Sequence, residues 1–233
     1  MKFEKTEVWG FEHALRGMRN PMNSWDKSDS IFHCAVVKDN NGKSYPDAIP
    51  AEVIDCCKLG EKDLELAQTL IKAGSEHRKF MRQIFVSVDI TAPLFFFKEF
   101  DTYKVGTVAN STSTMHKLAS TPITMDCFEM DDFKDCDVES QDMIFPLESC
   151  WNSLVSDLEF LRKKYNETKD KRYWKELIRM LPESWLQKRT ITMNYENVLN
   201  MVHQRKNHKL TEWSESFIEW ARSLPYAGEL LFL

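Results

Sequence analysis

The chain has 233 residues, 42% hydrophobic, 12% aromatic and 29% charged, enough to bury a real core in one domain over 1–233. Its 31 Lys and Arg stand against 36 Asp and Glu, and the formal charge of −5 excludes a global basic field for wrapping nucleic acid. The longest apolar runs, such as Pro93 to Phe97, are too short to span a bilayer, and the charged start MKFEKTEVWGFEH has no apolar signal core, so a cytoplasmic protein is expected.

In chain order, Lys2 to Trp9 alternates with Phe3 and Trp9 on one side, which predicts a short strand. Phe11 to Arg19 predicts a helix that Asn20-Pro21 stops. Trp25 to Pro50 reads as turn-rich with one apolar patch at Ile31 to Val37. Gly60-Glu-Lys-Asp opens a helix with Leu64, Ala67, Leu70 and Ile71 on one face, closed by Gly74. Gln83 to Ile90 alternates and is β-branched, a strand. Pro93 to Tyr103 reads as a buried helix, with a strand as the alternative, and Gly106 to Pro146 as a loop of unassigned structure. Leu147 to Tyr165 is amphipathic through Trp151, Leu154, Val155, Leu158 and Leu161. A helix over Asp170 to Leu181 ends before Pro182, and Gln187 to Met193 forms another short strand. From Asn194 the chain is helical, with a break near Lys209. The count favours an α+β fold, helix-rich with a small mixed or antiparallel sheet.

Six cysteines (Cys34, Cys56, Cys57, Cys127, Cys136 and Cys150) form no CxxC pair, and vicinal Cys56 and Cys57 cannot easily bridge each other without strain. Free thiols follow. The acidic stretch DCFEMDDFKDCD lacks zinc spacing and reads as a solvated loop before it reads as a cation site; no metal is expected.

The richest stretch is TMNYENVLNMVHQRKNHKLTEWSESFIEW. Asn194 follows a strand and precedes a helix, where an Asn side chain caps open N–H groups. At roughly 100° per residue, Asn194, Asn197, Arg205 and His208 fall in a sector of about 80°. Leu199, Val202, Leu210, Trp213, Phe217 and Trp220 cluster about 80–160° away as a core stripe. The polar sector is either a solvated face or a ligand face. Its amides and guanidinium, without the usual mixture of Glu and Lys, suit oxyanion and carbonyl recognition.

This segment resembles the C-terminal helix of the flavin-dependent thymidylate synthases, the ThyX family. That helix carries an Asn, a second Asn six residues on and an Arg five residues later, a spacing matched by Asn194, Asn200 and Arg205. Leu181-Pro182 precedes Asn194 where the family has its Leu-Pro, and Arg179 lies within one place of a nucleotide-binding Arg. Upstream, Gly74 and His77 precede the strand at Gln83, and Pro93-Leu-Phe-Phe-Phe follows it, as in the family. The family's Arg-His-Arg triad falls on Thr102-Tyr103-Lys104 and its Gln on Glu99, while Asn110-Ser-Thr-Ser113 keeps the Ser of its N-E-x-S motif but not the Glu. The motif's following Arg becomes Met115, and an upstream Glu-His becomes Arg82-Gln83.

The resemblance implies FAD held by His77, Lys104, Asn194 and Asn200, with Lys104 taking a flavin phosphate. It implies a pyrimidine nucleotide, dUMP or a relative, held by Glu99, Arg179, Arg205 and Ser113, with Ser113 as the catalytic residue. The implied reaction is reductive methylation using methylene-tetrahydrofolate, after NADPH reduces the flavin, in a homotetramer. An aromatic run over Phe95 to Phe100 and the C-terminal stripe supply apolar surface for subunit contacts. Asn194 and Asn200 lie roughly 120° apart on one helix, so both reach flavin only if sites are shared between subunits. The competing readings are a binding protein that keeps the pocket without catalysis, and an interaction protein whose aromatics only pack between subunits.

Overall fold

The computed structural model describes residues 1–38, 44–45, 52–130 and 141–233, with side chains left undescribed at 33–38, 44–45, 52–56 and 141–147. Most of the acidic run, together with Cys136, lies outside what is described, as do the side chains of Cys34 and Cys56.

Strand β1 (Lys2–Trp9) opens the chain. Its alternation fails at Lys5, whose φ of 51° inserts a left-handed residue. Phe3 and Val8 are therefore the half-buried pair, and Trp9 turns outward to stack on Phe85 at 5.8 Å. Gly10, at φ 95°, makes the turn into α1 (Phe11–Arg19); a Cβ there would run into the Gln83 carbonyl. The helix buries Phe11, Ala14, Leu15 and Met18 at helical spacing, then passes into a 3₁₀ turn at Asn20–Met22.

The turn-rich reading of Trp25 to Pro50 is corrected in part. Strand β2 (Ile31–Lys38) pairs antiparallel with β3 (Ser44–Tyr45) and with β4 (Glu52–Lys58), matching Cys34 with Ile54 and Val36 with Glu52. The segment EVIDCCK lacks clean alternation, and only its pairing with β2 makes it a strand. Helix α2 (Glu61–Lys72) buries Ala67 and Ile71 and stops before Gly74, which takes φ 108°. Asp29 caps its first turn from a distance, accepting from the Lys62 and Asp63 amides at 3.0 and 3.1 Å.

The next strand begins after the predicted Gln83, because Lys79–Gln83 forms a 3₁₀ turn; β5 covers Phe85–Pro93. Val86, Val88, Ile90 and Ala92 are buried at strict period two. Helix α3 (Leu94–Phe100) bears out the helical reading over the strand alternative. Its Phe96, Phe97 and Phe100 are buried, and Phe96 stacks on Trp213 at 4.3 Å. These rings are used internally, so the sequence argument that they supply subunit surface fails.

The supposed loop after Gly106 contains β6 (Val108–Ser111), the short helix α4 (Thr114–Lys117) and a 3₁₀ turn at Met125–Cys127. Helix α5 (Gln141–Thr168) starts earlier than predicted and includes Pro146; α6 (Lys171–Met180) follows with Asp170 accepting from the Arg172 amide as its cap. Leu158 and Leu177 are fully buried with Leu118, Ile123 and Phe128, while Trp151, Leu154, Val155 and Leu161 flank them half-buried.

Strand β7 (Leu186–Asn194) leads into α7 (Tyr195–Arg205). A turn follows, then a π-helical stretch at Glu212–Phe217 and the short helices α8 (Ile218–Arg222) and α9 (Ala227–Leu230). The described strands form two sheets, ordered β1-β5-β7-β6 and β3-β2-β4. By contacts the chain divides into two compact units: Met1–Thr6, Val88–Ile191 and Leu210–Ser216 in the first, and Glu7–Ser87, Thr192–Lys209 and Phe217–Leu233 in the second.

Candidate functional site

In the second unit the chemistry gathers at α7. The Asn194 side chain accepts from the Asn197 amide at 3.0 Å, and the Asn197 side chain accepts from the Asn194 amide at 3.2 Å. This reciprocal capping box is the local reason the strand stops and the helix starts at Asn194. Tyr195, Val198, Leu199, Met201 and Val202 bury the core face. Glu196, Asn200 and His203 recur at i, i+4 and i+7 and share another face.

That face meets the segment before β5. Arg78 Nε donates to Glu196 Oε1 at 3.1 Å, and Arg78 Nη2 donates to Asn200 Oδ1 at 3.1 Å. Arg82 Nε closes on the other oxygen of Glu196. Burial pushes the Glu196 carboxyl up, but hydrogen bonds from Arg82 and Arg78 outweigh it and hold the group below its usual range. His203 is pushed down by desolvation and by the cations Lys206 and Arg78. The cluster is cationic and donor-rich, with one buried carboxylate at its centre.

The single sector joining Asn194, Arg205 and His208 is a correction. Helix α7 ends at Arg205, and His208 sits in the following turn, its amide donating to the Arg205 carbonyl at 2.9 Å. The apolar stripe breaks at the same place: Leu199 and Val202 belong to the second unit and Trp213 to the first. His77 is exposed in the turn after Gly74, two elements of sequence before α3, and Arg205 is half-buried.

In the first unit a cavity of about 840 Å³ opens, walled by Phe128, Trp151 and Trp185, with Ser113, Lys117 and Asp126 among its polar groups. Phe128 lies 5.6 Å from Trp151 and 5.5 Å from Trp185, nearly edge-on to the latter at 77°. Ser113 Oγ accepts from the His116 amide at 3.2 Å and so caps α4. The strand beside it is held by Gln187, whose Nε2 donates to the Thr112 carbonyl at 2.9 Å. Arg189 in turn donates to Gln187 at 2.9 Å and to Asp101 at 2.7 Å, over the face of Phe97.

Of the residues expected to bind nucleotide, Ser113 lines this cavity; Glu99 and Arg179 do not, nor does Lys104. Glu99 is half-buried on α3, Lys104 is exposed in the turn after it, and Arg179 is exposed in the last turn of α6, paired with Glu176. Sequence reasoning missed Arg78, Arg82 and Glu196. The polar recurrence of Glu196, Asn200 and His203 at i, i+4 and i+7 was the available signal for Glu196. Among the described residues no group of three or more His, Cys, Asp or Glu is placed to hold a metal ion, and no helix is long and apolar enough to cross a membrane.

No family model and no curated protein matches the sequence. Solved structures do match. The flavin-dependent thymidylate synthase ThyX from Helicobacter pylori, complexed with FAD and dUMP, has a TM-score of 0.63 at 17% identity, covering 100% of this chain and 98% of that one. A second structure of the Helicobacter pylori enzyme with FAD and dUMP has a TM-score of 0.64 at 16% identity, covering 100% and 97%. The fold is therefore the ThyX-like α+β fold that the resemblance implied.

Proposed function

We propose that this chain is a divergent flavin-dependent thymidylate synthase-like protein, one domain over 1–233, acting in the cytoplasm as a homotetramer. The observation that carries this reading is the start of α7. There Asn194 and Asn200 keep the resembled spacing on a helix whose neighbours, Arg78 and Arg82, make the face cationic and donor-rich. That donor set fits an anionic cofactor rich in acceptors, as FAD is. Asn194, Asn200, His77 and Lys104 hold FAD in this reading, with Lys104 as a point charge for a phosphate.

Bound FAD supplies the redox chemistry for reductive methylation of dUMP or a related pyrimidine nucleotide, with methylene-tetrahydrofolate as carbon donor and NADPH as reductant. The protein's part is orientation. Arg205 and Arg179 pair with the nucleotide phosphate, Glu99 contacts the nucleotide, and Ser113, its hydroxyl proton still available, donates to the base. A second reading, a flavin and nucleotide binder without turnover, is favoured by one observation. Thr102-Tyr103-Lys104 offers a single cation, and that cation is exposed to water.

The deciding experiment takes the absorption spectrum of the purified protein before and after adding FAD and dUMP, then adds NADPH and methylene-tetrahydrofolate. A perturbed flavin band with product formed is the expected result. A perturbed band without product selects the binding protein, and an unperturbed band ends both readings.

A further inference from the structure

We infer that Glu196 is a positioning residue: through Arg78 it turns Asn200 donor-outward, so the ligand of this face must present a hydrogen-bond acceptor there. Only the identity of that ligand as FAD rests on the function proposed above. The orientation itself is independent of it.

Glu196 and Asn200 stand one turn apart on α7, close enough for one guanidinium to bridge them. Arg78 does so, giving Nε to Glu196 at 3.1 Å and Nη2 to Asn200 at 3.1 Å. A guanidinium carries donors only, so the atom of Asn200 that meets it is the amide oxygen. The two protons on Nδ2 therefore face away from Arg78. The same logic applies six residues earlier, at the helix cap. A backbone N–H holds the oxygen of Asn194, which leaves its Nδ2 as the group on offer. Both amides thus carry the same polarity by construction, and a carbonyl, a ring nitrogen or a phosphate oxygen satisfies them where an N–H does not.

Glu196 is the part that makes Arg78 hold still. Arg82 occupies its other oxygen, so two like charges sit side by side only because a buried carboxylate lies between them. A neutral side chain at 196 removes the anchor, lets the two guanidiniums repel, and frees the Asn200 amide to rotate.

Two variants and two readouts test this on the full chain. Asn200→Asp keeps an acceptor for Arg78 but replaces the outward donors with an anionic oxygen. FAD affinity is expected to fall at least tenfold with the unfolding midpoint unchanged or raised. Wild-type affinity in Asn200→Asp would mean that Asn200 only anchors Arg78, and overturns the inference. Glu196→Gln is read without any ligand, by the Nε–H signal of Arg78 and the side-chain amide protons of Asn200 in nuclear magnetic resonance. A sharp, slowly exchanging Arg78 signal in the wild type that collapses in Glu196→Gln supports the positioning role; the same signal in both proteins overturns it. Absence of FAD binding by the wild type removes the flavin reading alone, since the resonance comparison still decides the orientation.

Discussion

Arg205 closes α7 half-buried, beside a core face and with its fork of donors at the helix end. A phosphate there receives a charge-assisted contact worth roughly 1.5–3 kcal/mol. Arg205→Ala is expected to weaken nucleotide binding by about ten- to a hundredfold, at about 1.4 kcal/mol per decade, with folding nearly intact. Arg205→Lys restores the charge without the fork and gives only partial rescue. Isothermal titration with dUMP reads both, and equal affinity in wild type and Arg205→Ala removes Arg205 from the site. Glu159 makes a separate, pH-dependent contribution. Arg162 donates to it twice at 2.6 Å, outweighing the cost of burial, and the Ile123 amide adds a bond at 3.0 Å; the carboxyl is held down to about 2. A depressed carboxyl contributes stability above its ordinary pKa of 4.5 and loses it as pH falls toward 2. The gain is on the order of 1 kcal/mol once solvent screening is counted. The gap in urea midpoint between wild type and Glu159→Gln is expected to be smaller at pH 3 than at pH 7 and to close only toward pH 2.

Among the elements, the junction of β7 and α7 rests on one residue. Asn194 caps the helix through its oxygen, and in the proposed function its nitrogen meets the flavin. Asn194→Ala loses both and destabilises by about 1 kcal/mol. Asn194→Asp retains the cap and loses the donor, so its unfolding midpoint stays near wild type while flavin binding weakens. A flavin titration beside thermal melts separates the two roles, and tight flavin binding by Asn194→Asp would leave the residue as a cap alone. A second junction is purely structural. Asp63 is fully buried on α2 and accepts from Arg19, Ser28 and Ser30 at 2.6 Å each, tying the end of α1 and the 28–30 segment to α2. Removing it leaves Arg19 buried without its counter-charge. Asp63→Ala is expected to cost about 3–5 kcal/mol by chemical denaturation, with no selective effect on flavin.

For the whole molecule, the proposed tetramer stands on the resemblance, because Phe96, Phe97 and Phe100 are buried within the first unit. Light scattering at micromolar concentration is expected to give four times the chain mass. A monomer there would reject the assembly and with it the sharing of flavin sites between subunits.

Local chemistry carried much of this fold without help. The period of two in β5, the Asn20-Pro21 stop after α1, the Pro182 stop after α6 and the Asn at 194 are short-range signals, and each produced the element expected of it. The Asn194, Asn200 and Arg205 spacing likewise pointed to the helix where the cationic cluster lies. Tertiary structure decided the rest. Strand β4 exists because β2 offers its edge, and a ladder of backbone bonds carries no side-chain period to read. The end of α7 at Arg205 and the π-helical stretch beyond it divide a stripe that looks continuous at 100° per residue. The pairing of Arg78 and Arg82 with Glu196 joins residues 118 and 114 positions apart. Charge attraction acts through space, so only the folded chain could reveal which distant partner neutralises a buried carboxylate.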